Sequence, residues 1–172
     1  MKPASAERAA IDRAMAAFTD RVEYSFFVVT TGSSPRDISG CLAGFVTQCS
    51  IRPPRFLICI SKVNHTYFVA ERAEGVVLHL LGRNQTELAS LFGEHTGDNF
   101  AKFEHCDWSP GTTGAPVLSD CAAWIDCLIL ERFDVGDHQA LLARPVAGDR
   151  GQCQGVLTSQ TLPPLEPGHP VA

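Results

Sequence analysis

The chain has 172 residues, enough for one domain with a buried core, and its 45% hydrophobic and 19% charged residues are typical of a globular protein. Its net charge of −5, with scattered lysines and arginines, disfavours nucleic acid as a partner. No apolar run has membrane-spanning length and the first residues lack the apolar segment of a secretory signal, so we expect a cytoplasmic protein that does not bind membranes.

Hydrophobic periodicity predicts the elements in chain order. Residues 5–20 are alanine-rich and place Ile11, Met15 and Phe18 on one face of an amphipathic helix. The predicted strands are 24–31, 40–51, 55–61, 76–81, 122–133 and 138–146, and two short helices are predicted at 66–73 and 84–92. Residues 97–115 are typical of a long loop that covers a site.

Strands that do not alternate with helices favour a mainly β fold, a closed or partly closed antiparallel barrel with peripheral helices. We expect three parts: a helix in residues 1–21 that packs on the barrel, a barrel domain in 22–148, and an extended C-terminal tail in 149–172. Dinucleotide-binding and P-loop glycine motifs are absent from the sequence.

The stretch 40–62 is the centre of this prediction. Pro53 and Pro54 separate its two strands, because neither has an N–H to donate to a ladder. The first strand contains Gly44 and small or hydroxyl side chains, so a flat ligand can approach its backbone closely. The second, residues 55–60, is apolar enough to predict burial on both faces.

Three polar sets lie at the ends of predicted strands. Thr47, Gln48 and Ser50 are compatible with a ligand surface or with a solvated strand face. Residues 62–66 precede a helix, whose N-terminus attracts phosphate, although an ordinary helix cap is the alternative. Residues 134–138 are compatible with an acid–base pair, a nicotinamide-facing element or a hairpin turn whose aspartates bond its own backbone. The seven cysteines and six histidines lack metal-ligand spacing, which predicts no metal site.

A series of short motifs adds a family resemblance. The motifs, in order, are Val28-Val29-Thr30-Thr31, Gly40 to Ser50 followed by Pro53-Pro54, a polar loop ending in Thr66, Gln85 to Phe92, Gly114 to Leu118, Ala123-Trp124 with Cys127, and Gly136-Asp137-His138. In this order and spacing, residues 22–147 resemble the flavin reductase-like, FMN-binding split-barrel family. Members of that family are usually homodimers with the flavin near the subunit interface.

The resemblance implies a flavin site, with FMN as the expected flavin and FAD as the alternative. It implies that the segment 43–50 lies beside the isoalloxazine ring, that 61–66 hold the ribityl phosphate, and that His138, the expected catalytic residue, lies where nicotinamide docks. The implied cofactor-binding residues are Ala43, Gly44, Phe45, Val46, Thr47, Gln48, Cys49, Ser50, Ser61, Lys62, Asn64, His65 and Thr66.

The chain departs from the family pattern around the ring. Gly44-Phe45-Val46 stand where typical members have Asn-Ser-Phe, so side-chain hydrogen bonds to the ring edge are lost. Arg52 stands where they have an aspartate, and Ser25-Phe26-Phe27 stand where they have an early glycine.

The predicted function is therefore hydride transfer from NADH or NADPH to flavin by a homodimeric reductase. The cofactor performs the chemistry and the protein supplies position and electrostatics. A monooxygenase component that uses the reduced flavin is the candidate partner. Two alternatives remain at this point: a non-catalytic FMN-binding or electron-transfer protein of the same fold, and a barrel that binds another planar ligand such as haem.

Overall fold

The structure is a computed structural model that describes residues 5–168. Its helices are α1 (Ser5–Thr19), α2 (His65–Ala70) and α3 (Thr86–Gly93), with a 3₁₀ turn at Lys102–Glu104. Its strands are β1 (Phe27–Ser34), β2 (Asp37–Ala43), β3 (Val46–Ile51), β4 (Pro54–Ser61), β5 (Gly75–Leu80), β6 (Trp108–Pro110), β7 (Pro116–Leu118), β8 (Ala123–Asp134) and β9 (His138–Arg150). None of the helices in this range has the length and apolar character needed to cross a membrane.

Seven strands form one antiparallel sheet in the order β2-β1-β5-β8-β9-β4-β3. The two edge strands, β2 and β3, are consecutive in the chain and only two residues separate them, so the sheet must curl to bring its edges together. Val29 and Cys41 at one end of the sheet therefore share a core with Ile58 and Ile60 at the other. The predicted antiparallel, mainly β fold is confirmed, as a barrel that stays split between β2 and β3 in the described residues.

The strand predicted over 40–51 is in fact two strands. The break falls at Gly44 and Phe45, where the chain leaves one edge of the sheet for the other. β4 also differs from the prediction: Ile58 and Ile60 are buried in the core, but residues of the other face are only half-buried. β9 continues to Arg150, four residues beyond its predicted end, because it pairs with β8 along that length.

Residues 95–107 form a second layer with α3 over β2. Phe92, Leu118 and Leu157 form the buried centre of this layer. Lys102 is 4% exposed, and its Nζ donates to the carbonyl oxygens of Gly40 (3.0 Å) and Phe92 (3.3 Å). The predicted long loop is thus tied to the barrel.

The two ends of the described chain behave differently. Residues 6–19 of α1 are exposed throughout, with Ile11, Met15 and Phe18 between 51% and 66% exposed. Packing of α1 on a barrel stays a prediction. The C-terminal segment is irregular, but Val156 and Thr158 bridge to Gly82 and Ser25. Residues 1–4 and 169–172 of the predicted terminal parts lie outside the described residues.

Candidate functional site

One cavity of about 190 Å³ brings together several of the predicted site residues. Six of them line it: Ala43, Gly44, Phe45, Ser61, Asn64 and His138. Larger cavities occur elsewhere, such as one of about 470 Å³ beside α3, but the predicted residues do not line that one. We therefore take the smaller cavity as the candidate site.

Three strand ends meet at this cavity. Ala43 ends β2, Ser61 ends β4 and His138 begins β9, and the antiparallel register pairs Ser61 with His138. The N–H of Cys59 donates to the carbonyl oxygen of Phe45 (2.9 Å), which fixes the connection between β2 and β3 against β4. Residues from segments far apart in sequence thus converge because the sheet curls.

Gly44 lies against an aromatic wall. A Cβ at this position would lie 2.6 Å from the ring of Tyr24, so the missing family side chain is replaced in space by that ring. Tyr24 packs edge-on against Phe26, with ring centroids 5.3 Å apart. The C-terminal segment holds this wall, because the N–H of Ser159 donates to the carbonyl of Tyr24 (2.9 Å).

His138 contributes a polar ring to the lining of the cavity. Its Nδ1 lies 2.7 Å from Oδ1 of Asp137, and its ring lies 5.4 Å from the ring of Phe45, tilted by 57°. The hydrogen bond from His138 is the main reason that the pKa of Asp137 lies below its usual range. The carboxylate thus remains ionised and can fix the orientation of the imidazole.

Lys62 does not line the cavity. Its Nζ lies 2.8 Å from Oδ1 of Asp134 and donates to the carbonyl of Gly136 (2.6 Å). The hydrogen bond from Lys62 is also the main reason that the pKa of Asp134 lies below its usual range. The ammonium group of this predicted phosphate ligand thus lies against the turn that precedes His138.

The rest of the predicted phosphate segment also has partners within the protein. Asn64 caps α2, with its Oδ1 accepting from the N–H of Thr66 (3.1 Å), as the alternative of an ordinary cap expects. Thr66 is fully buried, and its hydroxyl lies 3.0 Å from that of Ser39. His65 is partly exposed and pairs through Nδ1 with Asp98 at 2.7 Å. Phosphate binding by this segment stays a prediction.

Most of the predicted ring segment lies outside the cavity. Val46, Thr47, Gln48, Cys49 and Ser50 form β3, an edge strand that is largely exposed. Their side chains bond locally: the hydroxyl of Ser50, for example, donates to the carbonyl of Pro53 (2.7 Å). The structure of the single chain thus agrees with the solvated-face interpretation, and ring contact by these five residues stays a prediction.

The remaining lining residues were not identified from the sequence as site residues. They are Tyr24, Phe26, Cys41, Leu42, Cys59 and Ile60. One feature of the sequence could have indicated Tyr24 and Phe26: Gly44 lacks a side chain, and bulky aromatic residues that could fill the space beside it precede β1. Burial raises the pKa of the thiols of Cys41 and Cys59, so both line the cavity as neutral groups.

The described residues contain no cluster of three or more histidine, cysteine or acidic side chains that would hold a metal ion.

Comparison with known proteins decides the family. The sequence profile of the flavin reductase like domain matches residues 19–158. The chain belongs to this family. The resemblance inferred from the sequence is confirmed.

The names of relatives of this flavin reductase-like chain agree with the family assignment. It is 36% identical over 126 residues to the FMN reductase (NADH) RutF of Bradyrhizobium diazoefficiens, a match that covers 73% of this chain and 68% of that protein. It is 28% identical to HsaB, the reductase subunit of a flavin-dependent monooxygenase of Mycobacterium tuberculosis, over 70% of this chain and 72% of that one. Two further relatives are longer, and the chain spans 40% and 51% of their lengths.

Solved structures share the fold of this flavin reductase-like chain. A flavin reductase domain protein from Arthrobacter sp. FB24 superposes with a TM-score of 0.77 over 94% of this chain and 96% of that one. At 21% identity, this similarity establishes the fold alone.

The cavity walls fit the ring system of a flavin. Tyr24, Phe26 and Leu42 contribute apolar surface to the lining, whereas Ser61, Asn64 and His138 contribute polar atoms. An isoalloxazine ring likewise combines a dimethylbenzene part with a polar pyrimidine edge. Binding sites for such ligands are mostly apolar with a few placed polar groups, which is the pattern here.

Proposed function

We propose that this protein is a flavin reductase that transfers a hydride from NADH or NADPH to FMN, with FAD as the alternative flavin. The observation that carries the proposal is the convergence of β2, β4 and β9 on one cavity, whose lining includes His138 held by Asp137. The names of the relatives support the same activity.

The residues of the cavity bind and orient, and a bound flavin supplies the hydride acceptor. Tyr24 and Phe26 would pack against the apolar part of a bound flavin ring and exclude water from it. Ser61 would offer its hydroxyl to a polar atom of the flavin. His138, with Nδ1 engaged by Asp137, presents its other ring edge for orienting the nicotinamide.

Two further parts of the proposal concern assembly. A homodimer is supported by the exposed apolar face of α1, which the single chain leaves without a partner among its described elements. An oxygenase component as consumer of reduced flavin is supported by the relative HsaB, a reductase subunit. A cytoplasmic location stays a prediction from the sequence.

The test follows loss of NADH or NADPH absorbance in air with added FMN, for wild type, His138→Ala and the control Arg72→Ala, which removes an exposed ion pair with Asp37 outside the cavity. We expect saturable oxidation by wild type, a roughly ten- to hundredfold lower kcat/KM for nicotinamide in His138→Ala because orientation is lost, and an unchanged control. Wild-type protein that never exceeds the protein-free blank contradicts the proposal.

One observation favours a second candidate, a non-catalytic FMN-binding protein. Gly44 lacks the side chain of typical members, and Tyr24 fills the space where such a side chain would extend. In that case FMN stays bound through gel filtration while neither nicotinamide is oxidised. The same preparations therefore separate the two functions.

A further inference from the structure

The turn between β8 and β9 is held by a lysine from another part of the chain. Nζ of Lys62 contacts Oδ1 of Asp134 at 2.8 Å and the carbonyl of Gly136 at 2.6 Å. The backbone N–H of Lys62 donates to the carbonyl of Asp137 at 2.9 Å. One residue at the end of β4 thus contacts three of the four residues that lead into His138.

Within the hairpin, the N–H of Val135 donates to the carbonyl of His138 (3.2 Å), and β8 pairs with β9 up to Asp134 and Gln139. Val135, at its centre, is 55% exposed, so apolar packing contributes little to its position. Gly136 adopts a φ of +119°, a conformation that favours glycine, and its N–H donates to Oδ1 of Asp134 at 3.0 Å. The same carboxylate oxygen therefore organises the turn internally and receives Lys62.

These contacts bear directly on His138. Asp137, whose carbonyl accepts from Lys62, is the residue whose carboxylate lies 2.7 Å from Nδ1 of His138. A shift of the turn would move both the imidazole and the carboxylate that orients it. Small displacements of an orienting group have large kinetic effects.

We propose that Lys62 is a positioning residue that clamps the turn 134–137 and thereby sets the place of His138 in the candidate site. This inference rests on the proposed function for its kinetic consequence. It replaces the sequence-based expectation that Lys62 binds the flavin phosphate, since two of the three ammonium donors are engaged at the turn.

Two flavins distinguish the clamp from a phosphate ligand. The assay compares FMN with riboflavin, which lacks the phosphate, for Lys62→Ala, Asp134→Asn and Lys62→Arg. We expect Lys62→Ala to raise the KM for nicotinamide or lower kcat by roughly three- to tenfold equally with both flavins, as suits a partly exposed ion pair. Asp134→Asn should move the same constants in the same direction, and Lys62→Arg should restore much of the loss.

The control is Arg72→Ala, which removes a different exposed ion pair, with Asp37 at 3.0 Å, and should leave these constants unchanged. A penalty confined to FMN, with riboflavin turnover and Asp134→Asn unaffected, would identify Lys62 as a phosphate ligand and overturn the clamp.

A second readout requires no turnover. Amide hydrogen exchange at residue 62 reports its bond to the carbonyl of Asp137, and exchange at Gly136 reports its bond to the Asp134 carboxylate that Lys62 also contacts. We expect Lys62→Ala to accelerate exchange at both amides roughly three- to fivefold, and Arg72→Ala to leave them unchanged. Unaltered exchange in Lys62→Ala overturns the clamp, whereas inactive wild type with accelerated exchange in the variant overturns only the proposed function.

Discussion

At the scale of single residues, His79 stands out as a buried histidine that links three strands. Its Nδ1 donates to the carbonyl of Val28 on β1 (3.0 Å), and its Nε2 accepts from the N–H of Leu118 on β7 (3.0 Å). These two bonds require the neutral ring with its proton on Nδ1, since a proton on Nε2 would face the N–H of Leu118. Burial lowers the pKa of His79 to about 4.

We expect this histidine to make the protein sensitive to mild acid. The pKa of His79 in the folded protein lies below the unfolded value of 6.5. The contribution of neutral His79 to the free energy of unfolding is therefore fully present above pH 6.5 and is lost as the pH falls towards 4. The loss in free energy of unfolding amounts to about 3 kcal/mol. The measurement is urea unfolding between pH 7 and 4 for wild type, His79→Gln and the control His105→Gln, which alters an exposed ring.

His79→Gln should be less stable at pH 7 but show a flatter pH dependence than wild type, whereas His105→Gln should keep the wild-type dependence. Titration of the His79 ring by NMR in wild type provides a check that does not depend on the variant folding. An apparent pKa above 6 would contradict the argument.

The sequence predicted site residues unevenly at this scale. Gly136-Asp137-His138 could be found because its members are adjacent and the turn brings them together locally. The contact of Lys62 with Gly136 could not be predicted, since it spans 74 positions and only the register of β4 against β9 creates it. Tyr24 was missed for the same reason: its position depends on Ser159, 135 positions away.

At the scale of elements, Lys102 joins the segment 95–107 to the barrel. Its ammonium bonds to the carbonyls of Gly40 on β2 and Phe92 on α3, and it lies 5.5 Å from the centre of the Phe92 ring. Burial lowers the pKa of Lys102, which means that the charge carries a desolvation cost. The two charge-assisted bonds offset that cost.

Replacing this ammonium by a thioether tests which effect is larger. Lys102→Met keeps the length of the side chain but removes both bonds, so we expect the free energy of unfolding to fall by about 1–3 kcal/mol. Urea unfolding measures the change, and Arg13→Met on the exposed α1 is the control, expected to lie within about 0.5 kcal/mol of wild type. A more stable Lys102→Met would mean that the desolvation cost dominates.

Elements with strong periodicity were predicted well, and breaks in them were not. The strand at 76–81 and the helix at 84–92 lie within two residues of β5 and α3. The break at Gly44 was missed because it depends on the sheet curling onto itself, which hydrophobic alternation along a strand cannot report. The attachment of the long loop at 97–115 was likewise missed, because it depends on the buried Lys102 and a lysine is normally expected at the surface.

At the scale of the whole molecule, α1 is the helix whose apolar side chains remain exposed in the single chain. Ile11, Met15 and Phe18 follow one another at intervals of four and three, so they form one apolar stripe, and each is more than half exposed. Exposed apolar surface of this kind marks an interaction site in soluble proteins. The barrel of a second copy is the partner that the expected homodimer offers.

Single charges on α1 test this arrangement. Met15→Glu places a charge in the stripe, whereas Ala9→Glu places the same charge on the opposite side of the helix. Light scattering during gel filtration should find wild type and Ala9→Glu as dimers at micromolar concentration. Met15→Glu should shift towards monomer, with a dissociation constant raised roughly tenfold or more because an ionised carboxylate would have to be buried.

Circular dichroism decides whether a shift reflects association or folding, since the sheet signal should be the same in all three proteins. Both glutamates change the net charge equally, so non-specific repulsion would affect both variants and cannot explain a difference between them. A Met15→Glu protein that remains dimeric would mean that the two copies meet through the sheet alone. The exposed stripe would then be available to a different partner, such as the oxygenase component.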